Sequence, residues 1–182
     1  MKKYLLFLLC FVVTSGFSQD VKKISYIQST INNQHPDKFI LEDEYVKITF
    51  NSASNQQINF NIFNKTDKSI DIIWTDSYFV LNGNSERVDN AGVSKIEMGM
   101  FHTAQVDNMK PQKIAPESNF LAKMKAEKAV FDFFGADNHY KKMGVPLVNR
   151  VVPALQINGE IKEYPITLEL YPKKYFKDKK KT

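Results

Sequence analysis

Ile58-Asn59-Phe60-Asn61-Ile62-Phe63-Asn64-Lys65-Thr66 and the following Ile70-Asp71-Ile72-Ile73-Trp74 are the stretch that decides the fold. Ile58, Phe60 and Ile62 alternate with Asn59 and Asn61. Ile70, Ile72 and Trp74 alternate with Asp71, and only Ile73 breaks the rhythm. Successive side chains of a strand point to opposite faces, so this period of two predicts strands buried on one face and wet on the other. Asn64-Lys65-Thr66-Asp67-Lys68 reads as the turn between them, because Asn and Asp tolerate turn geometry. Upstream, Val46, Ile48 and Phe50 alternate with Lys47 and Thr49, and Ser52–Asn55 reads as a further connection. Two or three antiparallel strands in a meander follow from the pattern.

The same signals continue downstream. Tyr78-Phe79-Val80-Leu81 reads as a strand, and Asn82-Gly83 supplies a type I′ hairpin turn leading to a return strand at Arg87-Val88. Asn90–Pro111 shows little periodicity and reads as a long connection with one short strand at Val93–Ile96. Ile114-Ala115-Pro116-Glu117-Ser118 reads as a turn into a strand over Asn119–Met124. Alanines 122, 126 and 129 would also suit a helical turn or two over Lys123–Val130. Phe131-Asp132-Phe133-Phe134-Gly135 is a compact aromatic cluster, and Asp137–Gly144 reads as a polar loop. Val148 to Ile157 reads as a strand region interrupted by Pro153, which argues for an edge position or a bulge. Asn158-Gly159 is a second hairpin turn, and Ile161 to Tyr171 returns before Pro172. Seven to nine short strands at this spacing are the signature of an all-β antiparallel sandwich or barrel.

The N-terminus supplies an address. Met1-Lys2-Lys3 is a basic start, Tyr4 to Val13 is an apolar run, and Thr14-Ser15-Gly16-Phe17-Ser18 is a small-residue tail. That is the layout of a secretory signal peptide cut before Gln19, over residues 1–18. The apolar run is shorter than the roughly 20 residues of a spanning helix. Cys10 lies inside the run behind Leu9, which disfavours a lipid-modified cysteine. A polar lead segment is expected over 19–38, with a short strand at Ile24–Gln28. The organised domain is expected over 39–172, and a flexible basic tail over 173–182. No second apolar segment approaches spanning length.

Charge and cysteine content narrow the chemistry. Net charge is +5, and Cys10 is the single cysteine. Loss of the leader removes that cysteine with Lys2 and Lys3, which leaves +3, much of it in the C-terminal lysines. The mature chain then has no disulfide and no thiolate. The exported address and near-neutral body point away from nucleic acid. His35, His102 and His139 share no metal-ligand spacing, so no metal site is expected. Glu42-Asp43-Glu44 offers oxygen ligands, but no calcium-loop pattern surrounds it. Asp76 and Asp89 are candidates for an acid pair, with no spacing that selects them. No nucleophile elbow, phosphate loop or dinucleotide fingerprint occurs, and no cofactor is expected. Aromatic residues are the remaining lead. Trp74, Tyr78, Phe133 and Phe134 are the binding candidates, for sugars or peptides, although Trp74 ends an inward-facing set. Phe133 and Phe134, read as strand neighbours, would point to opposite faces.

From Tyr45 to Ser118 the chain resembles a group of uncharacterised bacterial envelope proteins with immunoglobulin-like β-sandwich domains. The likeness rests on Phe60–Phe63 with Asn64-Lys65-Thr66, Ile70-x-Ile72-Ile73-Trp74, Ser77-Tyr78-Phe79-Val80, Gly83, Arg87-Val88 and Gly92-Val93. Ile114-Ala115-Pro116-x-Ser118 is similar to the proline turn of that group, with Glu117 where a glycine is usual. The resemblance implies that Asn64-Lys65-Thr66 joins two strands and that the Trp74 strand fills the core. It covers under half of the chain and implies no activity. The expectation is an all-β, immunoglobulin-like antiparallel β-sandwich of seven to nine strands. Its expected role is an exported, non-catalytic binding or assembly module of the envelope, with an envelope protein or a glycan as partner. Its edge strands would accept a partner strand. The alternative is an envelope hydrolase acting on glycans through an acid pair.

Overall fold

A computed structural model describes residues 29–92, 97–98, 102–103, 109–172 and 175. The leader, the strand expected at Ile24–Gln28, the strand expected at Val93–Ile96 and nearly all of the basic tail lie outside these residues. The described chain is all-β and antiparallel. In order it runs β1 (Ser29–Ile31), a 3-10 turn (Pro36–Lys38), β2 (Ile40–Glu42), β3 (Val46–Ala53) and β4 (Gln57–Asn64). Next come β5 (Ile70–Ile72), β6 (Tyr78–Leu81), β7 (Asn84–Arg87), β8 (Asp89–Asn90), β9 (Glu97–Met98) and β10 (His102–Thr103). After β11 (Gln112–Ile114) and β12 (Asn119–Lys125) comes one helix, α1 (Phe133–Met143). Then β13 (Leu147–Val152), β14 (Ala154–Ile157), β15 (Glu160–Glu163) and β16 (Ile166–Leu170) close the fold.

Three sheets hold 14 of these strands, in the orders β1-β16-β13-β6-β7, β11-β5-β14-β15 and β2-β3-β4-β12-β8; β9 and β10 form a separate ribbon. The expected count of seven to nine is therefore too low. The excess arises from long strands that are broken by bends. Pro153 separates β13 from β14, and Tyr164-Pro165 separates β15 from β16. One hairpin over 147–170 thus serves two sheets. Pro153 sits between central strands, so of the edge or bulge expected for it the edge is excluded, and the chain bends there. The ladder survives because other groups replace what the bend removes. Tyr164 N–H donates to the Pro153 carbonyl at 3.0 Å, and Ile73 N–H donates to the Ala154 carbonyl at 2.9 Å. Ala154 N–H donates to Ser77 Oγ at 3.0 Å, and that hydroxyl donates to the Ile73 carbonyl at 2.9 Å.

Alternation sets the buried face of each strand. Ile58, Phe60 and Ile62 of β4 are fully buried, as are Val46 and Ile48 of β3, and Ala122 and Met124 of β12. Ile72, Trp74, Phe79, Val151, Leu155, Ile166 and Leu168 are buried in the other two sheets and belong to the same core cluster. Both hairpin turns carry the backbone their sequence demands, with φ of 52° and 81° at Asn82-Gly83 and 53° and 87° at Asn158-Gly159. Glu117 takes φ of 49°, the left-handed conformation usually left to glycine.

Two sequence readings are corrected here. Phe133, Phe134 and the stretch 137–144 are helix α1, where an aromatic strand and a polar loop were expected. Asp132 caps the helix by accepting from Gly135 N–H at 2.8 Å. Gly144 ends it at φ of 72°, its N–H donating to the Tyr140 carbonyl at 2.8 Å. A side chain at position 135 would strike the Asp132 carboxylate, so the glycine belongs to the cap. The expected lead segment also contributes structure, since β1 pairs with β16 and the organised fold begins before Phe39.

The corner after β4 is held by a single buried side chain. Asn64 Nδ2 donates to the carbonyls of Lys68 at 2.7 Å, Ala115 at 3.0 Å and Ile114 at 3.3 Å. Its Oδ1 accepts from Thr66 N–H at 2.9 Å and Thr66 Oγ1 at 2.8 Å. Removing this amide takes a donor from all three carbonyls, of which Lys68 keeps Thr66 Oγ1 and Ala115 keeps Ser118 Oγ, and unties the two chain crossings it joins. We expect Asn64→Ala to lower stability by about 2–4 kcal/mol in urea unfolding, and Thr66→Val by about 1 kcal/mol.

Candidate functional site

The wet halves of the alternating strands assemble into one exposed face on the sheet β2-β3-β4-β12-β8. Strand register places its side chains in rows. Glu42, Lys47, Phe63 and Asn119 form the first row; Ile40, Thr49, Asn61 and Leu121 form the second. Ser52, Asn59 and Lys123 form the third, after a register shift between Phe50 and Ser52. Gln57, Lys125 and Asp89 form the fourth. An open groove of about 420 Å³ runs over the first two rows, lined by Glu42, Lys47, Thr49, Asn61, Phe63, Lys65 and Asn119.

The two ends of the face differ in how far their side chains are committed. At the far end, Gln57 Nε2 donates to Asn59 Oδ1 at 2.7 Å, and Asn59 Nδ2 donates to Ser52 Oγ at 2.8 Å. In the groove, Lys65 Nζ donates to Glu42 Oε1 at 2.8 Å and to the Asp43 carbonyl at 2.7 Å. Lys47 Nζ lies 3.9 Å from the other Glu42 oxygen. The Lys65 hydrogen bond leads the causes that hold the Glu42 carboxyl below its ordinary range, with both lysine charges adding to it. The side chains of Thr49, Asn61 and Asn119 line the same groove without a hydrogen bond to the described residues, so their donors and acceptors face solvent.

The acids singled out in the sequence do not converge. Asp43 is structural. Its Oδ1 accepts from the N–H groups of Tyr45 and Val46, both at 2.8 Å, and its Oδ2 accepts from the Tyr164 hydroxyl at 2.9 Å. Burial pushes the Asp43 carboxyl up, but those donors and Lys162 outweigh it, and its pKa is lowered. Burial, then the bond to Asp43, pushes the Tyr164 phenol up. Asp76 bonds Thr75 in the turn before β6, while Asp89 sits on β8 in another sheet beside Arg87.

The aromatic candidates are also dispersed. Trp74 is wholly buried and lines no groove. Tyr78 stands opposite Val152, and its hydroxyl donates to Glu163, which stands opposite Ala154. The ring therefore crosses the Pro153 bend. Phe133 packs on the core beside Phe131, and Phe134 is 81% exposed on α1. Phe63, Asn61 and Asn119 were missed. Asn61 and Phe63 lie in the alternating stretch of β4, whereas Asn119 joins them only through the pairing of β12 with β4.

Edge strands β7 and β15 are guarded. Glu86 stands opposite buried Phe79, and Lys162 opposite buried Leu155, so each edge turns a charge inward. Glu86 pairs with Lys128, and Lys162 Nζ lies 3.7 Å above the Tyr45 ring centroid. Inward charges of this kind oppose the addition of a further strand.

The fold and this face define an antiparallel β domain with a polar, lysine-edged sheet surface. No family model matches the chain, and no solved structure matches it. Over 92 residues the chain is 27% identical to the outer membrane protein assembly factor BamC of Psychromonas ingrahamii. The match takes in 50% of this chain and 25% of that protein, so the chain spans about a quarter of the length of the relative. Among the described residues, no helix is long and apolar enough to cross a membrane.

The Asp43 geometry generates a pH prediction. A carboxyl whose folded pKa is lowered adds stability above its ordinary value near 3.8, and that stability is lost as pH falls through the lowered value. Asp43→Asn should therefore cost about 1–2 kcal/mol at pH 7. Urea titrations repeated at decreasing pH should show the gap to the native chain closing below pH 3.8.

Proposed function

We propose that this chain is an exported, non-catalytic binding or assembly module of the bacterial cell envelope, built on an immunoglobulin-like β-sandwich. The observation that carries the reading is the likeness to an outer membrane protein assembly factor over half of the chain. The basic, apolar and small-residue layout of residues 1–18 supports export. The sandwich reading is supported by one core cluster shared by the three sheets and by the Asn64-Lys65-Thr66 corner between β4 and β5. Buried Trp74, just after β5, supports it as well.

The acids support a non-catalytic role. Asp43 is bound into a hairpin, Glu42 is paired with Lys65, and Asp76 and Asp89 belong to different parts of the fold. A glycan hydrolase needs two carboxyls about 5–10 Å apart across a cleft. No observation here favours that alternative. The inward charges on β7 and β15 disfavour strand addition at those two edges, and the open face of the sheet β2-β3-β4-β12-β8 offers side chains for recognition. An envelope protein or a glycan remains the partner class of this reading.

The full chain, tagged at its C-terminus and produced in a Gram-negative host, tests the proposal by fractionation and intact mass. The expected product is in the envelope or periplasmic fraction and starts at Gln19. Uncleaved protein confined to the cytosol overturns the exported reading. Cross-linking of the exported chain in intact cells should yield adducts with envelope material. A chain that is exported but yields no adducts overturns the assembly role.

A further inference from the structure

We propose that the groove over β3, β4 and β12 binds a carboxylated oligosaccharide. Phe63 would act as the stacking platform, Thr49, Asn61 and Asn119 as the hydroxyl readers, and Lys47 and Lys123 as the anion contacts. The inference deepens the binding-module reading and rests on it.

Uncommitted side chains carry the argument. Asn61 and Asn119 each present an amide, a donor and an acceptor fixed side by side. Thr49 presents a hydroxyl directly across from Asn61. Sugar hydroxyls donate and accept at adjacent positions, and a row of amides matches them in a way that a purely ionic surface does not. Phe63 lies between Lys47 and Asn119 in the first row and is partly exposed, so its ring edges the groove. An aromatic surface of this kind suits the apolar side of a sugar ring.

Charge complementarity sets the sign of the ligand. Lys47 and Lys65 line the groove, Lys123 stands one row beyond it opposite Asn59, and Glu42 is its one lining carboxylate. Glu42 is already held by Lys65 at 2.8 Å, while Lys47 stands off at 3.9 Å. Lys123 makes no ion pair among the described residues, and it faces Asn59 across the strand pair. Asp89 is further off on β8, opposite Lys125, and lies 3.7 Å from Arg87. An anionic ligand lying diagonally from Lys47 on β3 to Lys123 on β12 would therefore meet two lysines that share one carboxylate at one end, the unpaired Lys123 ammonium at the other, and the Asn61 and Asn119 amides between them. An acidic peptide would satisfy the lysines and could pair its backbone with the amides, but its carboxylate side chains offer nothing to the Phe63 ring. A carboxylated sugar supplies charge, hydroxyls and an apolar ring side together, so the observations favour the glycan.

The test is calorimetric titration of the leader-cleaved full chain with three probes at low salt. These are a galacturonic acid oligosaccharide, a neutral glucose oligosaccharide of equal length, and poly-glutamate of matched charge. The expected result is binding of the carboxylated sugar at least tenfold tighter than either comparison, weakened by added salt. Asn61→Ala and Lys123→Gln should each weaken it about fivefold or more. The Asn61 side chain makes no hydrogen bond among the described residues, so its variant should keep the native urea midpoint, which separates loss of binding from loss of fold. No binding of the carboxylated sugar overturns the proposal. So does poly-glutamate binding as tightly with Asn61→Ala silent. Fractionation of the same variants separates the two readings: envelope location retained with binding absent discards this ligand class alone.

Discussion

The amide of Asn64 is the interaction on which the rest of the structure depends. β4 ends in the sheet β2-β3-β4-β12-β8, and β5 begins in the sheet β11-β5-β14-β15, so the chain must change layers within five residues. The return crossing from β11 to β12 is made beside it. Both crossings expose backbone carbonyls where water is scarce, and a buried unpaired carbonyl costs about 1–3 kcal/mol. Asn64 answers both at once, through the carbonyls of Lys68, Ile114 and Ala115 and through Thr66. An amide does this because it donates and accepts from one rigid plane. A leucine there would fill the space but remove the one donor shared by the three carbonyls, leaving Lys68 to Thr66 Oγ1 and Ala115 to Ser118 Oγ.

The same logic recurs wherever this fold bends. At the Pro153 break, proline lacks an N–H and interrupts the ladder. Ser77 supplies a hydroxyl that accepts from Ala154 and donates to Ile73. Beside β13, buried Asn149 donates to the Val130 carbonyl at 2.7 Å and accepts from Asn82 N–H at 3.1 Å. Near the Tyr164 bend, Asp43 ties the β2–β3 hairpin to the other layer. Each device places a short polar side chain at a point where the backbone cannot satisfy itself. The interior is mainly apolar along the strands, with its buried polar side chains at bends or strand ends and, at Asn149, within β13.

How much of this was legible follows from the range of each interaction. Alternation in β3, β4 and β16 and the two Asn-Gly turns are local, and they reveal strand positions and the buried face directly. The strand count is not local. A residue such as Pro153 breaks a strand or bulges it according to what stands beside it, and Ser77 stands 76 positions away in sequence from that proline. Helix α1 was hidden for a different reason. Phe131, Phe133 and Phe134 carry strong strand preference, and only the cap pair of Asp132 and Gly144 marks the helix ends. The groove was half legible. Asn59 and Asn61 lie in the alternating stretch that decides the fold, yet their meaning depends on Lys47 and Asn119, which only pairing brings alongside.

Strand pairing leaves an open face on the sheet β2-β3-β4-β12-β8 and guarded edges at β7 and β15 of the other two sheets. An edge strand binds through its backbone, which is indifferent to sequence and invites any extended chain. β7 and β15 suppress this with inward charges, at the cost of placing Glu86 and Lys162 against apolar neighbours. Glu86 Oε2 is left buried without a hydrogen-bond partner, which is a destabilising choice for the isolated domain. The open face carries no such cost. Thr49, Asn61 and Asn119 are solvated when empty, so their unused donors and acceptors do not weaken the fold, and they can be matched to one ligand without making the edges adhesive.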